Sequence, residues 1–162
     1  MNSHKGFTLI EVLTVLAIFG ILTAISVPTF SGLQTHIRLQ TACRELATDL
    51  RRTRDMALFK QTEYRISFDS PDRAYNLPWN TKKRPERIVF GYAPDVQGPP
   101  SDPQPLSDPD GIYFFQNRSQ FHPNGSNSLG TLYLTTGRET MAITLAITGR
   151  VKIWQWRDGG WE

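Results

Sequence analysis

A run of 21 residues, 7–27, contains one charged side chain, Glu11, and it constrains the fold of this chain more than any other feature. At about 1.5 Å rise per residue, a helix of that length reaches roughly 30 Å, the thickness of a bilayer's hydrocarbon core. His4 and Lys5 precede the run, and Arg38 is the first charge after it. One lysine on the short N-terminal side favours keeping that side in the cytoplasm. Everything after Pro28 would then lie outside the inner membrane of a bacterium.

Three readings compete for this segment. A cleaved secretory signal peptide finds a loose small-x-small site in Ala24-Ile25-Ser26, but an acidic residue early in the apolar region does not suit it. A plain membrane anchor leaves Glu11 unexplained, since a carboxylate at the bilayer centre costs on the order of 2–3 kcal/mol. The third reading accounts for the whole string Lys5-Gly6-Phe7-Thr8-Leu9-Ile10-Glu11.

That string resembles the class III signal of type IV prepilins and type II secretion pseudopilins: a basic leader, Gly, Phe, then Glu four residues on, inside an apolar helix. The resemblance implies that a prepilin peptidase cuts between Gly6 and Phe7 and methylates the new amino group of Phe7. The family's acidic residue falls on Glu11 and its helix-kinking proline on Pro28. Residues 1–6 are then a leader peptide, 7–28 a transmembrane or filament-core helix, and 29–162 a periplasmic head that includes the amphipathic half of the helix, 29–59.

The logic of Glu11 holds apart from the family. Cleavage would place a free, charged α-amino group on Phe7, one helical turn from the carboxylate. A charge on an apolar face is tolerable when paired. Glu11 can pair with its own Phe7 amine or with a neighbour's, so that it sets register as subunits stack. The bland alternative is an acid snorkelling at the membrane surface.

The remainder of the 162 residues suits one small domain. Leu33, Ile37, Cys43, Leu46, Ala47, Leu50, Ala57 and Leu58 recur at three- and four-residue spacings, which predicts one long helix over 7–59 with an apolar stripe in its second half. Cys43 lies on that stripe, as a small buried residue. As the only cysteine it excludes an intrachain disulfide. After Lys60 short alternating segments predict strands at 64–68, 74–76, 88–92, 112–115, 131–134, 141–147 and 151–156, paired as antiparallel hairpins. Residues 93–111 hold six prolines, four aspartates and no basic residue, and read as a surface loop. The fold class is α+β: a long N-terminal helix on a small antiparallel sheet.

The C-terminal half narrows the resemblance. Phe121-His122-Pro123-Asn124-Gly125, Gly130-Thr131-Leu132 and Thr148-Gly149-Arg150-Val151 are similar to the GspH/FimT domain of minor pilins and H-type pseudopilins. The resemblance implies a non-enzymatic filament subunit of a type IV pilus or a type II secretion pseudopilus. It implies as partners the prepilin peptidase, other pilins or pseudopilins and the inner-membrane assembly platform, with no cofactor.

Enzyme chemistry has no support in the residues. His4, His36 and His122 have neither a nearby nucleophile nor ligand spacing, and Asp108-Pro109-Asp110-Gly111 reads as a turn that lacks the other ligands of a calcium loop. The segment Gly149-Arg150-Val151-Lys152 opens a second possibility. Alternation would put Arg150, Lys152, Trp154 and Trp156 on one face, with Arg157 close by. Cations interleaved with aromatic rings can hold phosphates and stack bases, and some FimT-like subunits are linked to DNA uptake through basic residues of a Gly-Arg motif here. Against this stands packing of the tryptophans in the fold with solvated cations. Lys82-Lys83-Arg84 with Arg87, and Arg51, Arg52 and Arg54 on the helix, read as solvated faces.

The first outcome to check is processing. Mass spectrometry of the mature chain should find an N-terminus at Phe7 carrying one methyl group. A chain beginning at Val27 would instead identify an ordinary signal peptide.

Overall fold

The computed structural model describes residues 7–98 and 106–162, and for 24–31 the course of the backbone alone. One helix, α1 (Leu9–Lys60), precedes the strands β1 (Tyr64–Asp69), β2 (Ala74–Asn76), β3 (Lys82–Lys83), β4 (Val89–Phe90) and β5 (Ile112–Tyr113). These are followed by β6 (Arg118–Phe121), β7 (Gly130–Thr135), β8 (Thr140–Leu145), β9 (Val151–Arg157) and β10 (Gly160–Trp161). Two compact units divide the chain between His36 and Ile37. The packing described next is that of the second.

In the second half of α1, Leu39, Cys43, Leu46, Leu50, Thr53 and Ala57 are fully buried. Their spacing alternates four and three residues, which keeps one stripe facing the same way. Leu33 and Ile37, expected on that stripe, are exposed; the buried stripe begins at Leu39. Cys43 follows its expectation: burial pushes its thiol up to about 12, so it stays protonated at neutral pH. The helix ends where Gln61 adopts φ 50°, with the Thr62 N–H donating to the Ala57 carbonyl at 3.3 Å. That six-to-one bond closes the last turn as a Schellman motif.

The strands form two antiparallel sheets rather than the one expected. The first has the order β3-β2-β1-β6 and the second β10-β9-β8-β7-β4, with β5 also paired to β7. Ile66, Phe68 and Phe121 of the first sheet share one core with Leu132, Leu134, Met141, Ile143 and Leu145 of the second, and with the α1 stripe. Burying each such side chain contributes about 1.5–3 kcal/mol relative to exposure. The first sheet is also pinned to α1 by a polar contact. The Tyr75 hydroxyl donates to buried Asp49 Oδ2 at 2.7 Å, and Lys83 Nζ lies 2.9 Å from the same oxygen and 2.7 Å from Glu45 Oε1. Burial, and then the Asp49 carboxylate, hold the Tyr75 hydroxyl well above its ordinary pKa, so it remains a donor.

These contacts revise two expectations. Lys82 and Lys83 form a strand, and both are paired: Lys82 with Asp72, Lys83 with Glu45 and Asp49. Lys83 is thus an anchor, while Lys82, Arg84 and Arg87 are exposed as expected. The loop 93–111 is irregular, but its first part is not a free surface. Ala93 and Val96 are buried, and the Ala93 N–H donates to Thr140 Oγ1 at 3.0 Å. Strands β3, β6 and β10 were not expected, and a 3-10 turn at Phe115–Asn117 cuts the strand foreseen over 112–115.

A fragment beginning at residue 29 should unfold cooperatively in a circular-dichroism melt. Asp49→Ala in it should cost about 3 kcal/mol, because Lys83 and Tyr75 lose their shared acceptor. At this size that lowers the midpoint by roughly 10 °C. An unchanged midpoint would show that the contact is not an anchor.

Candidate functional site

The N-terminal residues and the last hairpin carry the two sets of residues singled out in the sequence. Gly6 lies outside the described residues, and so does the side chain of Pro28, which falls within the helical course of α1. Phe7 is exposed, and α1 starts two residues after it. Thr8 is the residue before the helix. Its carbonyl accepts from Glu11 and Val12 N–H at 3.2 and 3.3 Å, and its hydroxyl accepts from Glu11 N–H at 3.4 Å. Thr8 therefore caps the helix, and Glu11 stands three residues in, where a carboxylate favours the positive end of the helix dipole. The Thr-x-x-Glu spacing of a capping box was present in the sequence and marks this helix start. Between Phe7 and Leu22 every large apolar side chain is at least 46% exposed. An apolar surface of that extent marks a place where protein or lipid is meant to cover it. Among the described residues no helix is long and apolar enough to cross a membrane. The side chains of 24–28, part of the expected crossing, lie outside the described set.

At the other end, β8 and β9 are joined by a tight turn in which the Gly149 N–H donates to the Ala146 carbonyl at 2.8 Å and the Ala146 N–H to the Arg150 carbonyl at 3.0 Å. Gly149 has φ +81°, and a Cβ there would come within 2.2 Å of Arg54 Nε on α1. Both the left-handed backbone and the close approach require glycine. From this turn β9 alternates as expected. Val151 is buried and Ile153 packs against the core, while Arg150 and Lys152 are exposed on the other face beside half-buried Trp154.

Register then assembles a row of side chains across the second sheet. Tyr113 on β5 pairs with Thr131 on β7, Thr131 with Thr144 on β8, and Thr144 with Lys152 on β9. With Arg150 and Trp154 this row lines an open cleft of about 390 Å³. Trp154 Nε1 donates to Thr144 Oγ1 at 3.0 Å, which fixes the indole, and Lys152 Nζ sits 4.9 Å from its ring centre. That cation–π contact holds the ammonium over the platform.

The structure does not bring all five C-terminal residues together. Trp156 is on the same face but is engaged elsewhere: its Nε1 donates to Asp95 Oδ2 at 3.3 Å and its ring meets Trp161 at 5.2 Å. Arg157 alternates to the side of Ile153 and Gln155. Tyr113, Thr131 and Thr144 were not foreseen, since only non-local pairing places them beside Lys152. Two of the helix arginines are also occupied. Arg51 Nη2 donates to the Val151 carbonyl at 3.1 Å, and the Arg52 guanidinium lies 4.8 Å from the Trp79 ring centre.

Comparison with a family model bears on the N-terminal residues. Residues 1–27 match the prokaryotic N-terminal methylation motif. The chain is 32% identical over 77 residues to a fimbrial protein of Pseudomonas aeruginosa, covering 48% of this chain and 49% of that one. It is 36% identical over 77 residues to the type IV major alpha-pilin of Moraxella bovis, 48% of each chain. To fimbrial protein Q of Moraxella bovis it is 42% identical over 60 residues, 37% and 38% of the two chains. The chain thus spans about half the length, or less, of the curated relatives it matches. No solved structure matches it. The chain is similar to type IV pilins over about half its length and carries the N-terminal methylation motif.

Proposed function

We propose that this chain is a minor pilin or pseudopilin of the GspH/FimT kind, a structural subunit and not an enzyme. The observation that carries the reading is the exposed apolar start of α1 with Glu11 in its first turn, on a segment that matches the methylation motif. Prepilin peptidase would remove residues 1–6 and methylate Phe7. The helix would then rest in the inner membrane as a single pass, with the head in the periplasm. An assembly platform would draw it into a pilus or a secretion pseudopilus, where the apolar helix packs against those of other subunits. There Glu11 would pair with a Phe7 amine, its own or a neighbour's, and Pro28 would adjust the course of the helix. In the filament the subunit would prime assembly or support protein secretion.

Glu11→Leu tests this pairing. Cleavage and membrane insertion should persist, while the amount recovered in sheared filament fractions should fall at least tenfold. Unchanged incorporation of the variant would end the pairing mechanism.

The cleft supports a second reading, a pilus-displayed module that binds DNA. Arg150 and Lys152 would contact phosphates and Trp154 would offer a stacking surface. Trp156 and Arg157 would contribute less, given their other contacts. Binding should weaken steeply with salt, and the double change Arg150→Ala and Lys152→Ala should flatten the salt slope by about two. Gel-shift titration at two salt concentrations measures it. No binding at low salt would leave the filament reading alone.

A further inference from the structure

The motif Phe121-His122-Pro123-Asn124-Gly125 runs from the end of β6 into a tight turn that lies outside the cleft. The Gly125 N–H donates to the His122 carbonyl and the His122 N–H to the Ser126 carbonyl, both at 3.0 Å. Gly125 has φ +83°, a left-handed backbone that glycine adopts without strain. Asn124, at the tip, is exposed. Its Oδ1 accepts twice from Ser126, from the N–H at 3.0 Å and from the hydroxyl at 2.7 Å. The first of these bonds reaches two residues ahead and bridges the peptide between, which folds the carboxamide back over the Gly125 nitrogen.

We propose that Asn124 is a self-modification site, converted in the folded head to aspartate and isoaspartate with the help of Ser126. The Gly125 backbone nitrogen, which no side chain shields, attacks Asn124 Cγ and closes a five-membered succinimide. Its proton passes through solvent to the side-chain nitrogen, which departs as ammonia. Water then opens the ring. Breaking the bond from Cγ to the Gly125 nitrogen gives aspartate, and breaking the main-chain bond gives isoaspartate. Negative charge develops on Oδ1 during the attack, and the two Ser126 donors already aim at that oxygen. Holding nitrogen and carbonyl in one turn also removes orientational freedom that a free chain must surrender. The bond from the Gly125 N–H to the His122 carbonyl has to open for the step, and it is the barrier that the fold adds. Asn127 is the contrast: it is buried, its Oδ1 accepts no hydrogen bond, and Ser128 follows it in place of glycine. The product places a new charge at the tip of the turn. Isoaspartate also lengthens the main chain by one carbon where Gly125 packs against Leu58 of α1.

The test incubates the full-length chain in detergent micelles at mildly alkaline pH, beside a synthetic peptide of residues 118–130. Peptide-mapping mass spectrometry follows the gain of one mass unit at each asparagine, and chromatography separates the isoaspartyl form. In the folded chain conversion is expected at Asn124 and not at Asn127, at a rate within tenfold of the peptide's. Ser126→Ala should slow the folded chain at least threefold and the peptide less than twofold. Ser126→Thr keeps a hydroxyl and should restore the rate. A folded chain still unconverted when the peptide has fully reacted would overturn the proposal, because the turn would then protect Asn124. Equal slowing of chain and peptide by Ser126→Ala would overturn it too, since the effect would belong to the local sequence and not to the fold.

Discussion

Burial of one helical stripe, from Leu39 to Ala57, organises everything after residue 37. The stripe shares one core with both sheets, which also meet each other through Phe68 and Phe90. Many of the strands are short: β2 has three residues, and β3, β4, β5 and β10 have two each. Short strands contribute few ladder hydrogen bonds, so side-chain burial against the helix must supply most of the stability. Asp49 sits beside that stripe and shows how little polar chemistry the core admits. Its carboxylate is buried only because a hydroxyl and an ammonium converge on it.

The long helix and most strands were legible because their periodicities are strong and local. The 3.6-residue pattern located α1 to within two residues at each end, and alternation found β1, β2, β7 and β9 closely. What escaped was set by pairing between distant segments. Lys82-Lys83 carries no strand pattern and becomes β3 only because β2 offers it an edge. Residues 93–98 look like a free loop, since nothing local announces that Trp156 and Trp161 will bind them. The alternating face of β9 was legible, but the cleft was not, because Tyr113, Thr131 and Thr144 reach Lys152 through three successive registers.

The two ends of the molecule use charge differently. At the N-terminal end a single carboxylate stands in an apolar field, so its effect depends on what later comes within reach. On the head, cations outnumber the free partners offered to them, and the fold engages several: Arg51 on a carbonyl, Arg52 on an indole, Lys83 on two carboxylates. Arg150 and Lys152 are left facing outward on a strand whose aromatic neighbours are held in place.

The missing side chain at Gly149 has a consequence for the cleft. The turn rests directly on Arg54 of the helix, with no room for a methyl group between them. The last hairpin therefore has a mechanical seat, and its height above α1 is set by what occupies position 54. A bulkier or smaller residue there would raise or drop the hairpin and tilt Arg150 with it, although position 54 never touches the cleft. Residues on the helix's flank thus set the position of an outer-face cation from beneath the sheet.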